Sequence, residues 1–193
     1  MLCACFGRGN AMRRICFVLA TALTLALTGC GTPSSSTAAT QTTTPPTQHY
    51  HAILAPLNAS GVTGTVALAV TGNVMSVTIS LTGLVPNQEH MQHIHGAHDT
   101  TATCPTPADA NADGIITLAA GTPAYGPVAM PFEPTPTADA NGKITWSQQL
   151  AITPDDAYNI APLTSHVVLI HGLNDKGAYD QVLPAACGPI QAD

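Results

Sequence analysis

Residues 89–104 read EHMQHIHGAHDTTATC, from Glu89 to Cys104, and hold four of the chain's eight histidines: His90, His93, His95 and His98. His93 and His95 are two apart, and residues i and i+2 of a β-strand project from the same face. Two imidazoles on one face begin a copper or zinc site; a lone H-x-H is as often a surface cluster or a hydrogen-bonded pair. Two further features favour metal. His171 ends the apolar run Val167-Val168-Leu169-Ile170, and a cysteine closes each of the two segments, Cys104 after the first and Cys187 after the second.

Outward from this stretch the pattern is that of strands. Ile53 to Leu57, Thr63 to Val70 and Val74 to Thr82 are β-rich and alternate, with turns at Asn58 to Gly61 and at Gly72-Asn73. Glu89 to Gly96 carries the H-x-H strand, Lys143 to Leu150 follows the turn Asp139 to Gly142, and Val167 to His171 and Pro184 to Ile190 complete the set. Helical periodicity is not visible anywhere in the domain. Short strands punctuated by Gly, Pro and Asn predict an all-β fold, a Greek-key β-sandwich or flattened barrel. Residues 105–136 and 151–165 read as long, proline-rich loops, functional or inserted. Trp146 and Tyr158 are assigned to the core, because a chain with 4% aromatics has few to place elsewhere.

The N-terminus carries export signals. Arg8, Arg13 and Arg14 precede the apolar run Ile15 to Leu27, which is too short for a comfortable membrane span and ends Leu27-Thr28-Gly29-Cys30. That ending resembles a bacterial lipobox, so residues 1–30 are expected to be a signal peptide with Cys30 as the lipidation site; Met12 is an alternative start. Residues 31–48, uncharged and rich in Thr, Ser and Pro, are expected to be a tether, and the folded domain runs over 49–193. The implied location is extracytoplasmic, with the lipid as the link to the bacterial membrane.

Beyond Cys30 only Cys104 and Cys187 remain, and an exported chain with two cysteines is expected to join them. All 11 acidic residues also lie beyond Cys30, against Lys143 and Lys176 alone, a net charge of −9 with histidine neutral. Nucleic acid is thereby excluded as a partner, and an anionic substrate is repelled on average.

Together these residues resemble the copper/zinc superoxide dismutase family. His90, His93, His95 and Cys104 match its H-x-x-H-x-H pattern, with the cysteine eleven residues after the first copper histidine; VVLIHG supplies His171, and Ala186-Cys187-Gly188-Pro189-Ile190 matches its A-C-G-x-I ending. Thr137-Ala138-Asp139-Ala140-Asn141-Gly142 also resembles a family turn. The resemblance covers most of 50–193, with a break from Pro105 to about Pro136. It implies a fold of the dismutase type, one copper ion on His93, His95 and His171, a structural hydrogen bond for His90, and a Cys104–Cys187 disulfide. Two departures stand out. Ala110 occupies the position of the bridging histidine, and with no histidine between His98 and His166 the zinc site is expected to be absent. Pro184 stands where the family has an arginine that guides superoxide, and no arginine follows Arg14.

The 105–136 stretch has its own motif. Asp109, Asn111 and Asp113, followed by Gly114, read D-x-N-x-D-G and are candidate calcium ligands, although Ala120 replaces the acid expected at position twelve; the alternative is an Asx-rich turn. His98 and Asp99 are expected to shape their loop, and Ser165-His166 is a chance pair rather than a nucleophile and its base. Two functions follow as expectations. One is an exported, lipid-anchored, superoxide dismutase-like copper protein of low activity. The other is a non-catalytic extracytoplasmic metal-binding or interaction domain like CHRD domains, which share H-x-H and strand patterns of this kind. Oligomeric state has no signature in the sequence.

Overall fold

A period-two alternation of apolar and polar residues builds the first strands of the structure, a computed structural model that describes residues 45–193. The expected signal peptide, Cys30 and most of the expected tether lie outside the described residues. Strands β1 (Gln48–Pro56), β2 (Thr63–Thr71) and β3 (Val74–Thr82) form an antiparallel meander. In β3, Met75, Val77, Ile79 and Leu81 are buried while Thr78, Ser80 and Thr82 face out. The residues Gly72-Asn73 close the β2–β3 hairpin between the paired Thr71 and Val74.

From β3 the chain crosses to the far side of the sheet for β4 (Gln92–His95) and β5 (Val128–Pro131), then returns to lay β6 (Ile144–Ala151) against β3. Strands β7 (Val167–Asp175) and β8 (Ala178–Pro189) form a hairpin between β4 and β1, and the short β9 (Gln191–Ala192) pairs with β1. The resulting antiparallel sheet, in the order β5-β4-β7-β8-β1-β2-β3-β6, curls into a half-barrel around one apolar core. The fold is all-β, as the alternation predicts, and its antiparallel sheet is of the sandwich or barrel kind.

Strand β7 is buried on both faces from Val167 to Leu173. Val168 and Ile170 enter the main core. Val167 and Leu169 face the other way, into a second cluster with Leu57, Ile116, Tyr125 and Cys187. An antiparallel strand without a polar face requires a cover, and residues of the 102–125 stretch supply it. Asn58 exchanges hydrogen bonds with the backbone of Ile116 (2.9 and 2.7 Å), Ala102 N–H donates to Ser165 O (2.8 Å), and the Cys104–Cys187 disulfide (S–S 2.02 Å) bolts the cover to β8.

The structure corrects the expectation of a domain without helices. Two short ones, α1 (Leu118–Tyr125) and α2 (Pro154–Asn159), lie in the proline-rich stretches. Both start at a threonine cap: Thr117 accepts from Ala120 N–H, and Thr153 forms a reciprocal capping box with Asp156. At eight and six residues they are too short to display a helical period. β5 is likewise unannounced, being four residues that end in Pro131. Tyr158 is not a core residue; it is 61% exposed, on α2. Trp146 is buried and stacks on Phe132 at 6.3 Å. No helix among the described residues is long and apolar enough to cross a membrane.

Candidate metal centre

His93 and His95 leave β4 on the face opposite Ile94, which is fully buried in the main core. In register across the strand pair, His93 faces Leu169 and His95 faces Val167, both on the covered side of β7. His171 continues that side of β7 beyond Leu169, where a bulge interrupts the β7–β8 register at Ile170 and His171. Two strands distant in sequence thus bring three imidazoles together. Ring centroids are 5.4 Å apart for His93 and His95, 5.2 Å for His93 and His171, and 5.6 Å for His95 and His171.

Each ring presents one nitrogen to the same point. His95 Nδ1–H donates to Gly126 O (3.1 Å) and His171 Nδ1–H to Val182 O (2.8 Å), which leaves a lone pair on each Nε2. Those two Nε2 atoms, and Nδ1 of His93, are buried without any hydrogen-bond partner. One nitrogen from each ring lies within 4.8 Å of the others; a metal at about 2.0–2.1 Å from each nitrogen holds such atoms no more than about 4.2 Å apart, so the rings close slightly onto an ion. Buried polar atoms without partners are uncommon and demand an explanation; a shared cation answers all three at once. Gln92, on the opposite face of β4, is also buried with both amide atoms unpartnered, and nothing in the structure explains it.

The electrostatics match the geometry. Burial, then the neighbouring His171, pushes His93 down to about 4. Burial also takes His95 down to about 4, against the opposing hydrogen bond to Gly126. His171 is lowered by burial as well, against its bond to Val182. At neutral pH all three rings are uncharged, the state a metal requires.

Surrounding residues hold the rings. The ring nitrogens of fully buried His90 face the carbonyls of His171 (2.9 Å) and Val85 (3.1 Å), so His90 pins the backbone that carries His171. Tyr125 packs edge-to-face on His95 at 4.9 Å. Glycine follows both buried ligands for a physical reason. Gly96 (φ 145°) and Gly172 (φ 99°) sit where a Cβ would strike the His166 ring and the Tyr179 hydroxyl, respectively. Tyr125, the carbonyls of Gly126 and Val182, and His166, whose nitrogens face the carbonyls of Pro162 and Asn159 (2.9 Å each), carry no sequence signal; only the glycine after each ligand was available as a hint.

The other candidates lie apart from this group. Asp109 caps its own turn, accepting from Thr106 N–H (2.7 Å) and Thr106 Oγ1 (3.0 Å). Asn111 donates to Thr117 Oγ1 (3.2 Å), and Asp113 accepts from Ile115 N–H (3.2 Å) and lies 3.5 Å from Lys176 Nζ. All three are engaged in local turn contacts. His98 stacks on Tyr158 at 4.0 Å and faces Ala161 O (3.2 Å) and the Asp99 carboxylate (3.2 Å), which ties α2 to the loop after β4. Neither a scan against models of known protein families nor a search of curated proteins returns a match for this chain.

Proposed function

We propose that the chain is an exported, lipid-anchored protein that binds one copper ion at His93, His95 and His171, with superoxide dismutase-like chemistry at a low rate. One observation carries the reading: three imidazole nitrogens, uncharged and unpartnered, converge within 4.8 Å on the buried face of two strands. Imidazole suits zinc as well as copper; the choice of copper follows the resemblance in ligand pattern. Bound copper would supply one-electron chemistry. The chain's own residues hold the rings neutral and oriented, and half-buried His93 leaves the site an approach from solvent. A low rate follows from charge. Superoxide is an anion, the chain beyond Cys30 carries −9, no arginine follows Arg14, and Lys176 lies beside Asp113 and Asp175.

Titration of metal-free protein with Cu(II) and Zn(II) tests this. The unmutated protein loaded with copper is expected to turn over superoxide well below the diffusion limit, and His171→Ala is expected to lose one copper ion per chain. Unchanged copper stoichiometry in His171→Ala would overturn the site. Copper bound with no turnover selects the second reading, a non-catalytic domain of CHRD type, which the missing guiding cation favours. Cys30→Ser is expected to release the protein from membranes; retention there would place the anchor elsewhere. For Asp109, Asn111 and Asp113 the proposal is calcium binding no tighter than about millimolar, because the twelfth-position acid is missing and the three side chains already have partners. Micromolar affinity by calorimetry would refute it.

A further inference from the structure

We propose that His49 and His51 form a second metal site, exposed on the outer face of β1, that takes a divalent copper or zinc ion. Ala52 and Leu54 point into the core, so the alternation of β1 puts His49 and His51 together on the opposite face. The same spacing on β4 brings the His93 and His95 rings to 5.4 Å, a separation to which the His49 and His51 side chains can turn to share one ion. Nothing bulky covers the pair from β2, where their cross-strand partners are Ala69 and Ala67.

A carboxylate already orients one ring. His51 Nδ1 lies 2.6 Å from Asp193 Oδ1, which directs the Nδ1 proton inward and leaves the Nε2 lone pair for a ligand. A carboxylate on the far nitrogen is the usual support of a metal-binding histidine. Asp193 is itself held, its N–H donating to His49 O (3.1 Å), and it lines a hollow of about 380 Å³ with His49, Gln48 and Tyr50 rather than with His51. No competing cation sits there. The two lysines of the described residues follow the Asp139 to Gly142 turn and occupy the β7–β8 turn, where Lys176 lies beside Asp113 and Asp175. The surplus of negative charge attracts a cation to this open surface.

The site does not depend on the buried one, and the test keeps them apart. The tag-free full chain, freed of metal, is titrated with Cu(II) and with Zn(II) at neutral pH. The double variant His49→Ala/His51→Ala is expected to bind one ion fewer than the parent, and His171→Ala to lose a different one. Loss of an ion in the first variant alone would uphold this site and overturn the buried one. Unchanged stoichiometry in the first variant overturns this proposal. If alanine perturbs folding, judged by thermal melting, His49→Gln/His51→Gln serves in its place with the same criteria. Asp193→Asn is expected to weaken the surface ion by about 10–100-fold and leave the His171-dependent ion alone; equal affinity would overturn the orienting role of Asp193.

Discussion

Two H-x-H pairs in this molecule have the same spacing and opposite surroundings. His93 and His95 on β4 lie under a cover held by a disulfide, with His171 beside them and unpartnered nitrogens turned to one point. On β1, His49 is exposed and His51 half-buried, with Asp193 as the support of the pair. Two residues on one strand face are therefore half a site. Burial, a third ring from another strand, and backbone carbonyls that settle the tautomers turn such a pair into a closed set of neutral ligands.

Removing what holds the cover has the largest expected effect. Cys104→Ser/Cys187→Ser opens a link that spans 83 residues, and the chain-entropy model puts the loss at about 4–5 kcal/mol, a fall in Tm of about 10–20 °C. Thermal melting checks it, and the His49/His51 ion should be unaffected well below the new Tm. A change of less than about 2 °C would show that the cover holds without its bolt.

Direct removal of a ligand comes next. His95→Ala or His171→Ala should weaken the buried ion by more than about 100-fold, beyond what loss of an outer-shell partner costs, as read by competition with a chelator of known affinity. A single ligand deletion on β1 should leave that ion's affinity unchanged. Equal losses from the two strands would erase the distinction between the pairs.

A smaller effect concerns pH. The folded state holds His93 and His95 at about 4 and lowers His171, against 6.5 for the ordinary imidazole. As pH falls below about 6.5 the unfolded chain takes up protons that the folded metal-free protein refuses, so stability drops until the folded groups themselves titrate near 4. The contribution is complete above 6.5. Urea melts across this window should show the slope, which His49→Ala/His51→Ala retains and a His93→Gln/His95→Gln variant reduces to the part His171 supplies. An undiminished slope in the second variant would locate the proton uptake elsewhere.

The smallest expected change is Tyr125→Phe. The Tyr125 hydroxyl donates to Leu118 O (2.9 Å), while the ring, not the hydroxyl, packs on His95. The cost should be about 1 kcal/mol in urea melts with copper stoichiometry intact. A lost ion would give the hydroxyl a part in the site.

Legibility differed by region for physical reasons. Strands β2, β3 and β6 were readable because each has one buried and one solvated face, so period two is written into the residues. β5 and both helices were not, since a four-residue strand completes itself only against β4 and a short helix is specified by its cap more than by its face. Tyr158 was misplaced because an aromatic ring signals contact area without saying whether a core or a neighbouring His98 supplies it.

The sequence by itself determined the all-β class, the shared face of His93 and His95, and the two cysteines available to pair beyond Cys30, because alternation and residue inventory are local properties. Tertiary structure alone decided that His171 meets that pair, that Gly126 and Val182 turn the free nitrogens inward, and that one H-x-H is buried while the other is not. Burial and tautomer depend on backbone groups brought from distant strands and on a cover tied across 83 residues, and no local pattern encodes them.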